Sequence, residues 1–256
     1  PFMTCDWIDG EPLDDAADRV RADPQAVVLL AFRAGADILR ALGFLHARGI
    51  VHGDVQPKNV LVRADGTAVL IDLGLARRAG ARTEGATGTL AYLPAEALFG
   101  EASAQADLYG LGASLYRAIA GRAPHGETTE TAQLVRAILD GPIAPIEERA
   151  PHVSATLAKV VGRLIARAPA ERWPSARSAA QGLADAAREM GIAEAGVPLL
   201  ADPETREGRA AYVRSAGLVG RERELDRLVG VLGAAIDGRA PSPIAFVRGA
   251  CGVGRS

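Results

Sequence analysis

Cysteine is nearly absent. Cys5 and Cys251 are the two in 256 residues. They lie far apart and without metal-ligand spacing, which argues against a disulfide scaffold or a cysteine-bound zinc and suits a reducing interior. A cytoplasmic setting is therefore expected. Charge of one sign is lacking too: 29 Lys and Arg nearly balance 31 Asp and Glu, for a net charge of -2. Nucleic acid and anionic membrane thus have no bulk electrostatic claim as partners. No long apolar run occurs either, since stretches such as Ala26 to Phe32 fall far short of the roughly 18 to 20 residues of a membrane-spanning helix. What is present is a hydrophobic fraction of 48%, enough for one well-buried domain and part of another. The chain opens at Pro1 without an initiator Met and stops at Ser256 inside a glycine-rich loop, so both ends read as cuts.

Asp23-Pro24 combines an N-cap with Pro at the first helical position, and apolar residues recur at helical spacing from Val27 to Leu45. This predicts a long buried helix to about His46. Val60-Leu61-Val62 and Val69-Leu70-Ile71 flank Asp65-Gly66 and read as a β-hairpin. Gly80 to Thr89 is an exposed loop. Four helices follow near 104–120, 129–139, 154–168 and 175–190. Residues 191–216 mix Gly, Pro and charge without a period and read as a linker, with a second domain from Gly217.

A two-residue Asp65-Gly66 loop would set Leu61 against Leu70 and Asn59 against Asp72. Asp54 lies on the loop entering the first strand, so Asp54, Asn59 and Asp72 converge at the open end of the hairpin. Magnesium takes hard oxygen ligands, one or two from protein and the rest from water and phosphates, and Asn59 with Asp72 supply that number. Asp54 is then free to accept the proton of an attacking hydroxyl. A turn cap or strand end accounts for any one of these residues, but less readily for all three.

The run His52-Gly53-Asp54-Val55-Gln56-Pro57-Lys58-Asn59 resembles the catalytic loop of protein kinases, and Asp72-Leu73-Gly74 resembles their magnesium-binding element. The resemblance extends over roughly residues 1 to 190. Gly88 to Glu96 looks like the end of a serine/threonine-type activation segment, which would bring Thr89 to Asp54. Asp107 is placed to brace the catalytic loop from below, and Arg172 matches a buried Arg that pairs with Glu96. Phe2 to Ile8, on its own an ordinary buried strand, becomes the hinge. Cys5 is then at the gatekeeper position, the backbone of Asp6 and Ile8 faces adenine, and Leu61 forms the floor. The resemblance implies an α+β protein-kinase-like fold, its helical lobe present and its upstream lobe missing. It also implies ATP as donor, Mg2+ as cofactor and a protein Ser or Thr hydroxyl as acceptor.

The sequence departs from the pattern at two points. Gly53 replaces the Arg that grips an activation-loop phosphate (a non-RD variant), so little dependence on phosphorylation of Thr83 or Thr87 is expected. Gln56 replaces a Lys that reaches the γ-phosphate, and a neutral amide cannot neutralise developing charge; Lys58 lies nearby at a different position. The His-Gly-Asp variant also occurs in small-molecule phosphotransferases of the aminoglycoside and choline kinase type. A nucleotide-binding pseudokinase scaffold is a third reading.

Near the C-terminus, Ile244 to Arg248 reads as a buried strand running into Gly249-Ala250-Cys251-Gly252-Val253-Gly254-Arg255-Ser256. Such a loop can cradle phosphate on backbone amides, with Gly249, Gly252, Gly254 and Arg255 around the phosphates and Ser256 as a magnesium ligand. Arg255 stands where that motif has Lys. With Gly220-Arg221-Glu222 upstream, residues 217–256 resemble the start of an AAA- or STAND-type P-loop ATPase, an α/β domain that follows kinase domains in signalling regulators.

Overall fold

The structure is a computed structural model that describes residues 7–82, 85, 88–126, 128 and 130–192. The expected linker end and the P-loop segment at 217–256 lie outside the described residues, as do Cys5, Asp6, Thr83 and Thr87.

The described chain is a helical body carrying two small antiparallel sheets. In chain order it comprises β1 (Glu11–Pro12), α1 (Leu13–Arg19), α2 (Pro24–His46), β2 (Ile50–Val51), β3 (Val60–Val62), β4 (Ala68–Leu70) and β5 (Arg77–Arg78). Then follow α3 (Ala104–Ala120), α4 (Thr131–Asp140), α5 (Ile146–Arg149), α6 (Ala155–Leu164) and α7 (Ala176–Glu189). One sheet runs β1-β3-β4 and the other pairs β2 with β5.

Helix α2 starts where its sequence signals it. The Asp23 carboxylate accepts N–H bonds from Gln25 and Ala26 at 3.0 and 3.2 Å, ahead of Pro24. Its buried face, with Phe32, Leu39 and Leu42, packs against α3 and α7 and shares one core with Leu111 and Leu115 of α3 and Leu183 of α7, while α6 joins that core through α3 and α7. Burying each such side chain contributes about 1.5–3 kcal/mol. Mid-helix, Asp37 accepts the Ala68 N–H at 2.9 Å, which ties the β3-β4 hairpin to α2.

The hairpin register differs from the expected one by a residue. Val60 pairs with Leu70, Leu61 with Val69 and Val62 with Ala68. The loop has three residues rather than two: Arg63 N–H donates to Thr67 O, and Gly66 N–H to Arg63 O, both at 2.9 Å. Gly66 takes φ 83° while Asp65 accepts the Thr67 N–H at 2.8 Å, the arrangement of a type I turn closed by a left-handed glycine. Asn59 therefore faces Ile71, not Asp72; Ile71 N–H donates to Asn59 O at 2.9 Å.

Helix α6 ends at Leu164, short of the expected 168. The Arg172 guanidinium captures the Ala166 and Arg167 carbonyls at 2.7 and 3.0 Å, holding those residues out of the helix. Helices α1 and α5 were not anticipated from the sequence.

Candidate active site

Asp54 sits on the loop between β2 and a single 3-10 turn over Pro57–Asn59. Helix α3 supports that loop from beneath. A Cβ on Gly110 would lie 2.6 Å from Val55 O, so the loop backbone rests where α3 has no side chain. Asp107, one turn earlier and 2% exposed, accepts His52 N–H at 2.8 Å and Gly53 N–H at 2.9 Å. His46 Nε2 donates to the same carboxylate at 2.8 Å. A buried carboxylate is tolerated when its oxygens are satisfied in this way, and Asp107 thereby fixes the loop as expected.

His46 was not singled out from sequence, although a His in the last turn of the long helix was a usable signal. The side-chain role of His52 was also missed. Its Nε2 donates to Ile71 O at 3.1 Å and its Nδ1 accepts Asp54 N–H at 3.3 Å. The Ile71 peptide is thus held from both sides, by Asn59 O and by His52, and this holds the next residue, Asp72, beside the loop despite the shifted register.

The Asp54 carboxylate accepts three hydrogen bonds. Thr89 N–H reaches Oδ1 at 3.0 Å; Gln56 Nε2 and Asn59 Nδ2 reach Oδ2 at 2.8 and 2.9 Å. Thr89 makes the expected contact through its backbone. Asn59 Nδ2 also donates to Asp54 O at 2.8 Å, so both amide hydrogens point at Asp54 and Oδ1 is the amide atom left for a cation. Asp72 is exposed and accepts Gly74 N–H at 3.0 Å through Oδ1. Among the described residues it alone, glycine apart, has positive φ, at 66°, a conformation that costs energy and concentrates at functional sites. Lys58 is exposed and has no bond to the Asp54 carboxylate.

Gly53 has φ 82°, and a Cβ there would sit 3.0 Å from Leu75 O and 3.8 Å from Arg77 Nη2. A guanidinium from β5 therefore lies beside the position where an Arg side chain would begin. On the other side of the hairpin, Leu61 is half-buried between the buried Val60 and Val62, facing away from the core. A Cβ on Gly10 would meet Val62 O at 2.9 Å and Leu61 Cβ at 3.4 Å, so the segment after Ile8 lies against Leu61.

Below the loop, Arg172 uses all five N–H donors. Two go to Glu96 at 2.5 and 3.2 Å; three go to the carbonyls of Ala166, Gln105 and Arg167. Its guanidinium carbon lies 4.9 Å from the centre of the Tyr109 ring.

The family profile described as "Protein kinase domain" matches residues 6–183. The chain belongs to the protein kinase family. Similar curated kinases include serine/threonine-protein kinase PknB of Mycobacterium leprae (strain TN), 30% identical over 182 residues, which covers 69% of this chain and 29% of the relative. PknJ of Mycobacterium tuberculosis (strain ATCC 25618 / H37Rv) is 32% identical over 185 residues, covering 68% and 31%. PknB of Mycolicibacterium smegmatis (strain ATCC 700084 / mc(2)155) is 29% identical over 225 residues, covering 82% and 35%. The matches span between 29 and 35% of those three kinases. No described helix is long and apolar enough to cross a membrane.

Proposed function

We propose that this chain carries the catalytic-loop half of an ATP-dependent serine/threonine protein kinase in which Asp54 is the base. The observation that carries the proposal is the Asp54 carboxylate held by Thr89 N–H, Gln56 Nε2 and Asn59 Nδ2 at 3.0, 2.8 and 2.9 Å. Three neutral donors orient both oxygens and leave lone-pair capacity for one more hydrogen, that of an acceptor hydroxyl. Asp54 then takes that proton as the phosphoryl group moves.

Asn59 Oδ1 and the Asp72 carboxylate would hold Mg2+, an amide oxygen and a carboxylate being a fitting share for a cation that keeps water and substrate phosphates. When bound, the ion screens the charge of the phosphates. Leu61 would form the floor under adenine with Ile8 in the hinge, a reading that the contact of Gly10 with the Leu61 strand supports; the hinge expectations at Cys5 and Asp6 lie outside the described residues. Gly53 marks a non-RD kinase, and the cytoplasm suits its two-cysteine composition. We read residues 217–256 as the start of a P-loop ATPase module of AAA or STAND type, on the Gly249 to Ser256 pattern.

The test of the acceptor class is transfer from γ-labelled ATP with the full-length protein, offering a generic protein substrate in parallel with an aminoglycoside and choline. The proposal expects label on Ser or Thr. Label on the small molecules alone contradicts it, and so does nucleotide binding with no transfer to any acceptor.

A further inference from the structure

An open groove of about 820 Å3 lies between the first two turns of α2 and the end of α7. Its apolar wall is formed by Val28 and Leu29 of α2 with Met190 and Ile192, which follow α7. Val28 is buried, while Leu29, Met190 and Ile192 are each half-buried. The polar groups at the rim ask little of an occupant. The Asp23 carboxylate is already taken by the Gln25 and Ala26 N–H groups, and Gln25 and His152 are exposed to water.

The chain itself runs into this groove. Gly191 takes φ 69°; its N–H donates to Arg188 O at 3.1 Å, and Ile192 N–H donates to Ala187 O at 2.8 Å. This pair of bonds is a Schellman ending, and it lays Met190 and Ile192 back against the core. Backbone hydrogen bonds therefore set how the chain leaves α7. Ile192 is both the last described residue and part of the groove wall.

The sequence that follows suits the groove. Val197-Pro198-Leu199-Leu200 is an apolar run between Glu194 and Asp202. It begins five residues after Ile192, at most about 18 Å of extended chain. Pro198 has no N–H to satisfy and biases Val197 to extended backbone, a form that can lie along a groove. A tethered segment meets the groove at an effective concentration of order millimolar. A second copy or a separate protein would first have to give up its free translation and rotation.

We propose that this groove is the docking site of the chain's own segment 197–200, with Leu199 and Leu200 covering Leu29 and Met190. Docked there, the segment anchors the linker at the start of α2. That helix has 23 residues and is roughly 34 Å long, so the anchor lies a full helix length from His46 and the catalytic loop it supports.

The chain has two methionines, Met3 and Met190, so the 256-residue protein labelled at Met and Leu methyl groups reports on the groove directly, with the Met190 signal assigned by Met3→Ile. The proposal expects methyl–methyl cross peaks from Met190 to leucine that are lost in Leu199→Ser/Leu200→Ser. The same peaks should weaken in Leu29→Ser, which changes the groove wall instead of the segment, and should be independent of protein concentration. Absence of such peaks, or their survival in Leu199→Ser/Leu200→Ser, would overturn the proposal. Peaks that fade on dilution would put a second copy in the groove and overturn it as well.

Discussion

Gln56 and Asp54 touch through an amide where a cation was the expected residue type. The 2.8 Å bond makes Gln56 a holder of the base rather than a counter-charge for phosphate, which is a physical account of how the loop keeps its shape without the usual lysine. A carboxylate in its place would repel Asp54 and disfavour its ionised form. Gln56→Glu should therefore lower kcat and the Tm together, since the repulsion falls at a buried position; phosphoryl transfer and thermal unfolding measure this. At Gly53 a side chain would meet Leu75 O at 3.0 Å, and Arg77 brings a guanidinium to within 3.8 Å of the same point. The substitution that looked like a lost receptor in sequence is thus accompanied by an Arg from a neighbouring strand, which no local pattern around residue 53 could reveal.

Among the elements, α3 carries the site and α1 is locked to it. Gly110 leaves no space for a methyl group beneath Val55 O, so Gly110→Ala should displace the catalytic loop. Overpacking of this kind costs typically about 1–3 kcal/mol, and thermal unfolding with a transfer assay should show Tm and kcat falling together. Asp18 of α1 bonds Arg117 of α3 at 2.9 and 3.1 Å and Arg21 at 2.8 Å. The Arg117 hydrogen bond, aided by Arg21, lowers the Asp18 pKa from 3.8 to about 2. A depressed carboxyl pKa stabilises the fold above its unfolded value, and that contribution is lost as pH falls from about 3.8 through about 2. Urea unfolding across this window should show a shallower loss of stability in Asp18→Asn than in the parent.

The same elements show what a sequence conveys. The start of α2 was legible because Asp23 and Pro24 are local signals, and the bounds of α3 because Ser103 caps it and Gly121 ends it in the left-handed region. The hairpin register was not legible, since an Asp-Gly pair serves both two- and three-residue loops and the choice rests on the Arg63-Thr67 pairing. Nor was the end of α6, because the guanidinium that captures its trailing carbonyls comes from Arg172. The convergence of Asp54 and Asn59 was legible because they sit on one short loop; the roles of His46 and His52 depended on Asp107 and Ile71, distant in sequence.

For the whole molecule, the Arg172-Glu96 pair joins the end of the activation segment to the segment after α6. The Arg172 side chain is fully buried and that of Glu96 is 15% exposed. Removing one partner strands the other charge, so Glu96→Ala should cost about 3–5 kcal/mol, read as a fall in the urea midpoint. All of this scaffolding converges on one carboxylate. The most direct measurement is transfer of γ-labelled phosphate from ATP to a protein Ser or Thr by the full-length protein and by Asp54→Asn. The account predicts intact folding and a kcat lowered by about 10²–10⁴-fold in the variant; transfer at the parent rate in Asp54→Asn would contradict it.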